Sequence, residues 1–175
     1  EPSPITVPDA LRSAVGGHPL VAELLVRRGI QSPEAALAFL DPDRYIAAAP
    51  FDLPDMDRGV ERLQRAMRDG QRIGVWGDFD VDGQTSTTLL VSTLQALDAN
   101  VAFHIPVRDT EGHGVTVPAL QRFLDQGIDV VLTCDTGVAA NEAVAYAASR
   151  GVDVVITDHH DLPVVLPEAV AVINP

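Results

Sequence analysis

Apolar and polar positions follow two regimes along this chain, and the change falls near residue 71. Before it, apolar residues recur at helical spacing in "HPLVAELLVRRGI", "SPEAALAFLDP" opens on a serine with a proline at the first helical position, and "DMDRGVERLQRAMRDG" runs to a terminal glycine. "AAAPFDLP", with Pro50 and Pro54, reads as a linker ahead of the third of these helices. From Gln71 onward, short β-rich runs alternate with helical windows. The runs are RIGVW (72–76), NVAFHI (100–105), DVVLTC (129–134), DVVIT (153–157) and AVAVI (169–173), with helices predicted near 84–98, 116–126 and 139–149. Strands alternating with helices imply βαβ units on a parallel sheet. The expected fold is therefore α/β: residues 1–70 form a helical lead-in, and 71–175 a Rossmann-like three-layer domain with a parallel sheet of about five strands and flanking helices.

Sheets of this kind bind ligands beyond the carboxyl ends of their strands, so the acids placed there are informative. Asp78 follows the first run, Asp135 the third, and Asp158, His159 and His160 the fourth. The stretch "VWGDFDVDG" adds Asp80 and Asp82 at alternate positions. Carboxylates so close together repel and raise one another's pKa unless something offsets the charge, and a bound cation does. A calcium loop of the EF-hand type fails: its twelfth position falls on Leu89, and a strand precedes it where a helix is required. A solvated acidic turn is the bland alternative, against which stands the second acid and imidazole group at the same sheet end. Adjacent His159 and His160 cannot point the same way in an extended chain, so one is free to ligate metal while the other meets substrate or solvent. Mixed carboxylate and imidazole donors suit Mn²⁺, with Mg²⁺, Fe²⁺ or Co²⁺ as replacements, and the donors suffice for two ions. His18 and His104 read as structural.

Composition modifies this picture in three places. At 175 residues and 46% apolar the chain can bury a core, and its single cysteine excludes a disulfide framework. No apolar run approaches the roughly 20 residues of a membrane span, and the expected setting is the cytoplasm. A net charge of −13 argues against nucleic acid until its distribution is considered. Residues 1–72 carry 9 arginines against 11 acids, and residues 73–175 carry 3 against 14. Five of those 14 acids belong to the groups above, where divalent ions would cancel much of their charge. All 12 basic residues are arginine, which a GC-rich coding bias explains better than phosphate binding does. Cys134 reads as a buried strand residue, not a nucleophile. Trp76 reads as core, while Phe79 is a candidate for stacking bases. Thr85 and Ser86, in "QTSTT", either cap the following helix or help its amino terminus receive a phosphate.

"DFDVDG", "IPVRDTEGHG", "TCDTG" and "TDHH", in this order and spacing, resemble the DHH phosphoesterase superfamily and most closely its RecJ branch, the 5′-to-3′ single-stranded-DNA-specific exonucleases. The resemblance extends to "AALAFLDP" and "AVAVINP" and covers nearly all of the chain. It implies that Asp80 and Asp82 ligate metal with Asp78 beside them, that Asp135 bridges two Mn²⁺ ions (Mg²⁺ as an alternative), and that His159 binds one of them. His160 would contact substrate phosphate and Asp158 would orient the ligands. Arg108 would face the phosphate, with Gly112 and Gly114 shaping its loop. Three departures keep every acid: "DFDVDG" for "DYDADG", "DTG" for "DNG", and "GHG" for "GYG", where His113 replaces an aromatic contact with a possible phosphate donor. The implied activity is a two-metal exodeoxyribonuclease in recombination and repair, with single-stranded DNA, a single-strand binding protein and a helicase as partners. RecJ-like enzymes continue with a further metal-binding motif, a DHHA1-like domain and a nucleic-acid-binding domain. This chain opens at Glu1 without methionine and stops at Pro175, so it is expected to be a fragment, inactive alone. Two other readings stand beside this one. A DHH phosphoesterase acting on short oligonucleotides, cyclic dinucleotides or nucleotide bisphosphates typically has a histidine where Trp76 stands, and a non-catalytic binding module of DHH type has usually lost motif residues that are kept here.

Overall fold

The computed structural model describes residues 5–45 and 47–175, so residues 1–4 and 46 of the expected lead-in lie outside the described residues. The chain divides into two compact units, 1–48 and 49–175. In the first, α1 (Asp9–Val15), α2 (Pro19–Arg27) and α3 (Pro33–Leu40) meet around Leu11, Leu25, Val26 and Ala36. The sequence signals for α3 are realised: Ser32 Oγ accepts the Ala35 N–H at 3.1 Å and Pro33 opens the helix. The seven-residue α1, uncapped by any side chain, is too short to register as a periodic pattern.

The second unit opens with α4 (Met56–Arg68) and continues through β1 (Ile73–Trp76), α5 (Val81–Ala96), β2 (Val101–His104), the short α6 (Arg108–Glu111), α7 (Val117–Leu124), β3 (Val130–Cys134), α8 (Asn141–Ser149), β4 (Asp153–Thr157) and β5 (Ala171–Ile173). All five strands run parallel in the order β2-β1-β3-β4-β5. Side chains alternate across the sheet. Ile73, Val75, Val130, Leu132 and Val155 pack with Ala66 of α4 and Leu94 of α5, whereas Trp76, Val131, Val154 and Ile156 pack under α7 and α8. Trp76 is completely buried, as the sequence implies.

The structure differs from the sequence reading at α4, which was grouped with the lead-in. Gly59 lets this helix lie directly on the sheet, since a Cβ there would come within 2.7 Å of Ile173 Cδ1. Buried Arg62 reaches Asp153 at the start of β4 at 2.5 Å and Gln71 at 2.9 Å. α4 therefore supplies part of one covering layer. On the opposite face Gly74 admits the ring of Phe123, 2.6 Å from where a Cβ would sit.

β1 has β2 on one side and β3 on the other, so the chain leaves it in one direction and later returns past it. Parallel sheets open a crevice beyond the carboxyl ends of the strands at such a reversal. Asp78 and Asp135 emerge there. No helix among the described residues is long and apolar enough to cross a membrane.

Candidate metal centre

Two glycines shape the turn from β1 into α5. A Cβ on Gly77 would overlap Thr87 Oγ1, and one on Gly83 would sit 2.5 Å from both the backbone N and O of Asp78. The first turn of α5 is thus laid against the backbone of residues 77–78. Asp80 caps the helix, accepting the Gly83 N–H at 2.9 Å, and this bond holds its carboxyl below the usual range. Asp78 Oδ1 accepts the Phe79 N–H at 2.8 Å, and Asp82 lies exposed in the first helical turn. Thr85 and Ser86 do not cap the helix, which corrects the capping reading. The helix begins earlier than predicted, at Val81, and the two hydroxyls donate back to the carbonyls of Val81 and Asp82 at 2.8 and 2.7 Å.

Asp135, just past β3, adopts a left-handed backbone with φ of 60°, uncommon for a residue with a Cβ. Its side chain is buried, and Oδ1 lies 2.8 Å from His159 Nε2 while Oδ2 has no hydrogen-bond partner. Burial first, and the nearby Asp80 charge second, push its carboxyl up. Asp158 is as deeply placed and fully satisfied. Its Oδ2 accepts the Val138 N–H at 2.9 Å, while Oδ1 meets the His159 N–H at 2.8 Å, the His160 N–H at 3.2 Å and His160 Nδ1 at 2.7 Å. Burial opposes ionisation of Asp158, yet these hydrogen bonds outweigh it and hold the carboxyl below the usual range. The same bond to Asp158 raises the pKa of His160.

Donor atoms of Asp135, His159 and His160 all lie within 4.8 Å of one another, a spacing a single cation can bridge. A cleft of about 450 Å³ opens beside them, lined by Asp78, His113, Gly114, Asp135, Asp158 and His160 among others. The Arg108 guanidinium lies over the Phe79 ring, its carbon 4.7 Å from the centroid, and the His113 ring makes a T-shaped contact with that ring at 5.2 Å. Gly112 and Gly114 turn the loop with φ of 81° and 67°.

Residues 72–175 match the DHH family, N-terminal domain. The chain belongs to the DHH family. It is 40% identical over 160 residues to the single-stranded-DNA-specific exonuclease RecJ of Bacillus subtilis (strain 168), a match that covers 90% of this chain and 20% of that protein. Among solved structures, exonuclease RecJ bound to manganese superposes with a TM-score of 0.68 at 36% identity, covering 74% of this chain and 33% of that one. RecJ from Thermus thermophilus in complex with Mn²⁺ gives 0.67 at 29% identity over 98% of this chain and 24% of that one. The chain thus spans about a fifth of the length of the Bacillus relative.

In this DHH domain the predicted site residues divide into three groups. Asp135, His159 and His160 come together, with the Asp80 charge near enough to help push the Asp135 carboxyl up. Asp78 lines the cleft, whereas Asp82 lines a neighbouring, largely apolar hollow of about 560 Å³ that Asp135, Asp158 and His159 also line. Phe79, a candidate for base stacking, has Arg108 over its ring. Glu111 was not singled out from the sequence. It ties down the loop bearing Arg108 by accepting from the Val107 N–H at 3.1 Å, pairing with Arg122, and meeting His104 Nε2 at 3.0 Å. Nothing in the local sequence marks it, because His104 and Arg122 reach it from β2 and α7. His104 is structural, as expected: its ring packs at a tilt against Trp76, with centroids 4.3 Å apart.

Proposed function

We propose that this chain carries the metal-binding core of a phosphodiesterase that degrades single-stranded DNA from the 5′ end. The observation that carries the reading is Asp135 Oδ2, a buried carboxylate oxygen with no partner, held beside two imidazoles and a second carboxylate. A buried acceptor left unpaired is costly, and a cation removes that cost. The donor set fits Mn²⁺ or Mg²⁺, with Asp135, His159 and Asp80 as ligands and Asp78 and Asp82 near enough in sequence to serve a second ion. Divalent ions held by these residues would lower the pKa of a water and offset charge developing on the phosphoryl oxygens.

The chain's own residues do the rest. Asp80 stays ionised because the Gly83 N–H fixes it. Asp158, both of whose oxygens are taken up by backbone and imidazole donors, acts by orienting His160, whose remaining ring nitrogen is left for a phosphate oxygen in the cleft. Arg108 and His113 stand beside the same cleft as donors to the next phosphate. The choice of single-stranded DNA rests on the 40% identity to the Bacillus exonuclease. The setting that goes with it is cytoplasmic repair, beside a single-strand binding protein and a helicase.

Calorimetric titration of Mn²⁺ into the metal-free chain is the first test, with binding expected and lost in Asp80→Ala and Asp135→Ala. For activity, this chain replaces the matching 160 residues of the Bacillus exonuclease. The chimera is expected to degrade single-stranded but not duplex DNA, the chain alone to be inactive, and each substitution to lower the rate at least ~100-fold, as for loss of a principal electrostatic group. Full activity in both variants would overturn the proposal.

A further inference from the structure

Phe79 lies between Asp78 and Asp80 in the turn that carries the acids. Its backbone is fixed at both ends, the N–H on Asp78 Oδ1 at 2.8 Å and the carbonyl by Gln84 Nε2 at 2.6 Å. Its ring carries the Arg108 guanidinium on one face and the His113 ring at its edge. From residue 73 onward the chain has three arginines. Arg122 is paired with Glu111 and Arg150 with Asp125, whereas Arg108, among the described residues, forms no ion pair. The ring it lies over stands between Asp78 and Asp80 in the acidic turn. An unrestrained guanidinium would fold onto such a carboxylate in a two-pronged bond. Held over an aromatic face, it keeps its charge on the ring and spends none of its N–H donors on a carboxylate.

We propose that Phe79 is a positioning residue that holds Arg108 away from Asp78 and Asp80 and ready for a phosphate of the substrate. This rests on the phosphodiester reading above. It assigns the aromatic side chain at 79 to holding a cation instead of stacking a base. A guanidinium that paired with the acids would be lost to the substrate and would also compete with metal for the same oxygens. The ring prevents both at the cost of one half-buried phenyl group.

The test compares Phe79→Leu, Phe79→Tyr, Arg108→Ala and the Phe79→Leu/Arg108→Ala double variant of the whole chain, with urea midpoints confirming the fold and Phe79→Met in reserve if Phe79→Leu unfolds early. In ¹⁵N-labelled protein, the Arg108 side-chain signals are expected to show an upfield ring-current shift that Phe79→Leu abolishes and Phe79→Tyr retains. Binding of a 5′-phosphorylated oligothymidine in Mg²⁺ buffer, followed by fluorescence anisotropy, is expected to weaken about two- to fivefold in Phe79→Leu, to recover in Phe79→Tyr, and to show no further loss when Phe79→Leu is added to Arg108→Ala. An equal loss in the Arg108→Ala background would mean that Phe79 touches DNA itself and would overturn the inference, as would unshifted Arg108 signals. Wild-type chain that fails to bind the oligonucleotide would overturn the reading that this cleft by itself receives a substrate phosphate, while the spectra still decide whether Phe79 holds Arg108.

Discussion

Asp135 combines three unfavourable features: a left-handed backbone, a buried unpaired oxygen, and a second carboxylate close by. Strain of this kind collects at functional sites because the rest of the fold sustains it. Removing the charge should therefore relieve the metal-free protein. Asp135→Asn is expected to raise metal-free stability by about 1 kcal/mol while abolishing any gain in melting temperature on adding Mn²⁺. Thermal melts with and without the ion check both halves. Gly83 makes the opposite case. Its missing side chain is where the Asp78 backbone runs, and neither backbone can give way cheaply. Gly83→Ala is expected to cost about 3 kcal/mol in urea unfolding and to reduce Mn²⁺ affinity, because the turn holding Asp78, Asp80 and Asp82 must move. The sequence shows this glycine as the end of "DVDG" but gives no sign that a strand end presses on it.

Elements cooperate here through single side chains at their ends. Asp55, at the start of α4 with φ of 55°, accepts the Val172 N–H of β5 at 3.0 Å and pairs with Arg58 at 2.9 Å. The bond from Val172, ahead of the Arg58 charge, holds the Asp55 carboxyl below its ordinary value of 3.8. A lowered carboxyl pKa stabilises the fold fully above that ordinary value, and the contribution disappears as pH falls through the folded-state value. Asp55→Ala is expected to cost about 1 kcal/mol more at pH 7 than once the wild-type carboxyl is protonated, measured as urea midpoints across the acid range. Strands and crossover helices were legible from periodicity because each is long enough to show its own buried face. α1 and α6, of seven and four residues, were not. The start of α5 was misplaced because Asp80, a presumed ligand, is also its cap.

For the whole molecule, the net charge of −13 is concentrated in the half that carries the sheet, so folding there works against self-repulsion. Non-specific screening and specific binding relieve this differently. Mn²⁺ at a hundred times its dissociation constant is expected to add about 2.7 kcal/mol of stability, well beyond the effect of NaCl at equal ionic strength. Equal effects of the two salts in urea unfolding would mean that the acids act only as a diffuse field. Alternation of apolar runs and helical windows was enough to determine a parallel α/β sheet, and the acids and imidazoles after its first, third and fourth strands pointed to a candidate site beyond its carboxyl ends. Those features depend on residues near one another in the chain, where spacing fixes which side is buried. Tertiary structure alone decided that α4 belongs to the sheet, that Asp158 is spent on His160 while Asp135 keeps an oxygen free, and that Phe79 supports Arg108. Each of these depends on groups brought together from separate elements or on which oxygen of a carboxylate finds a donor, and periodicity along a chain carries no record of either.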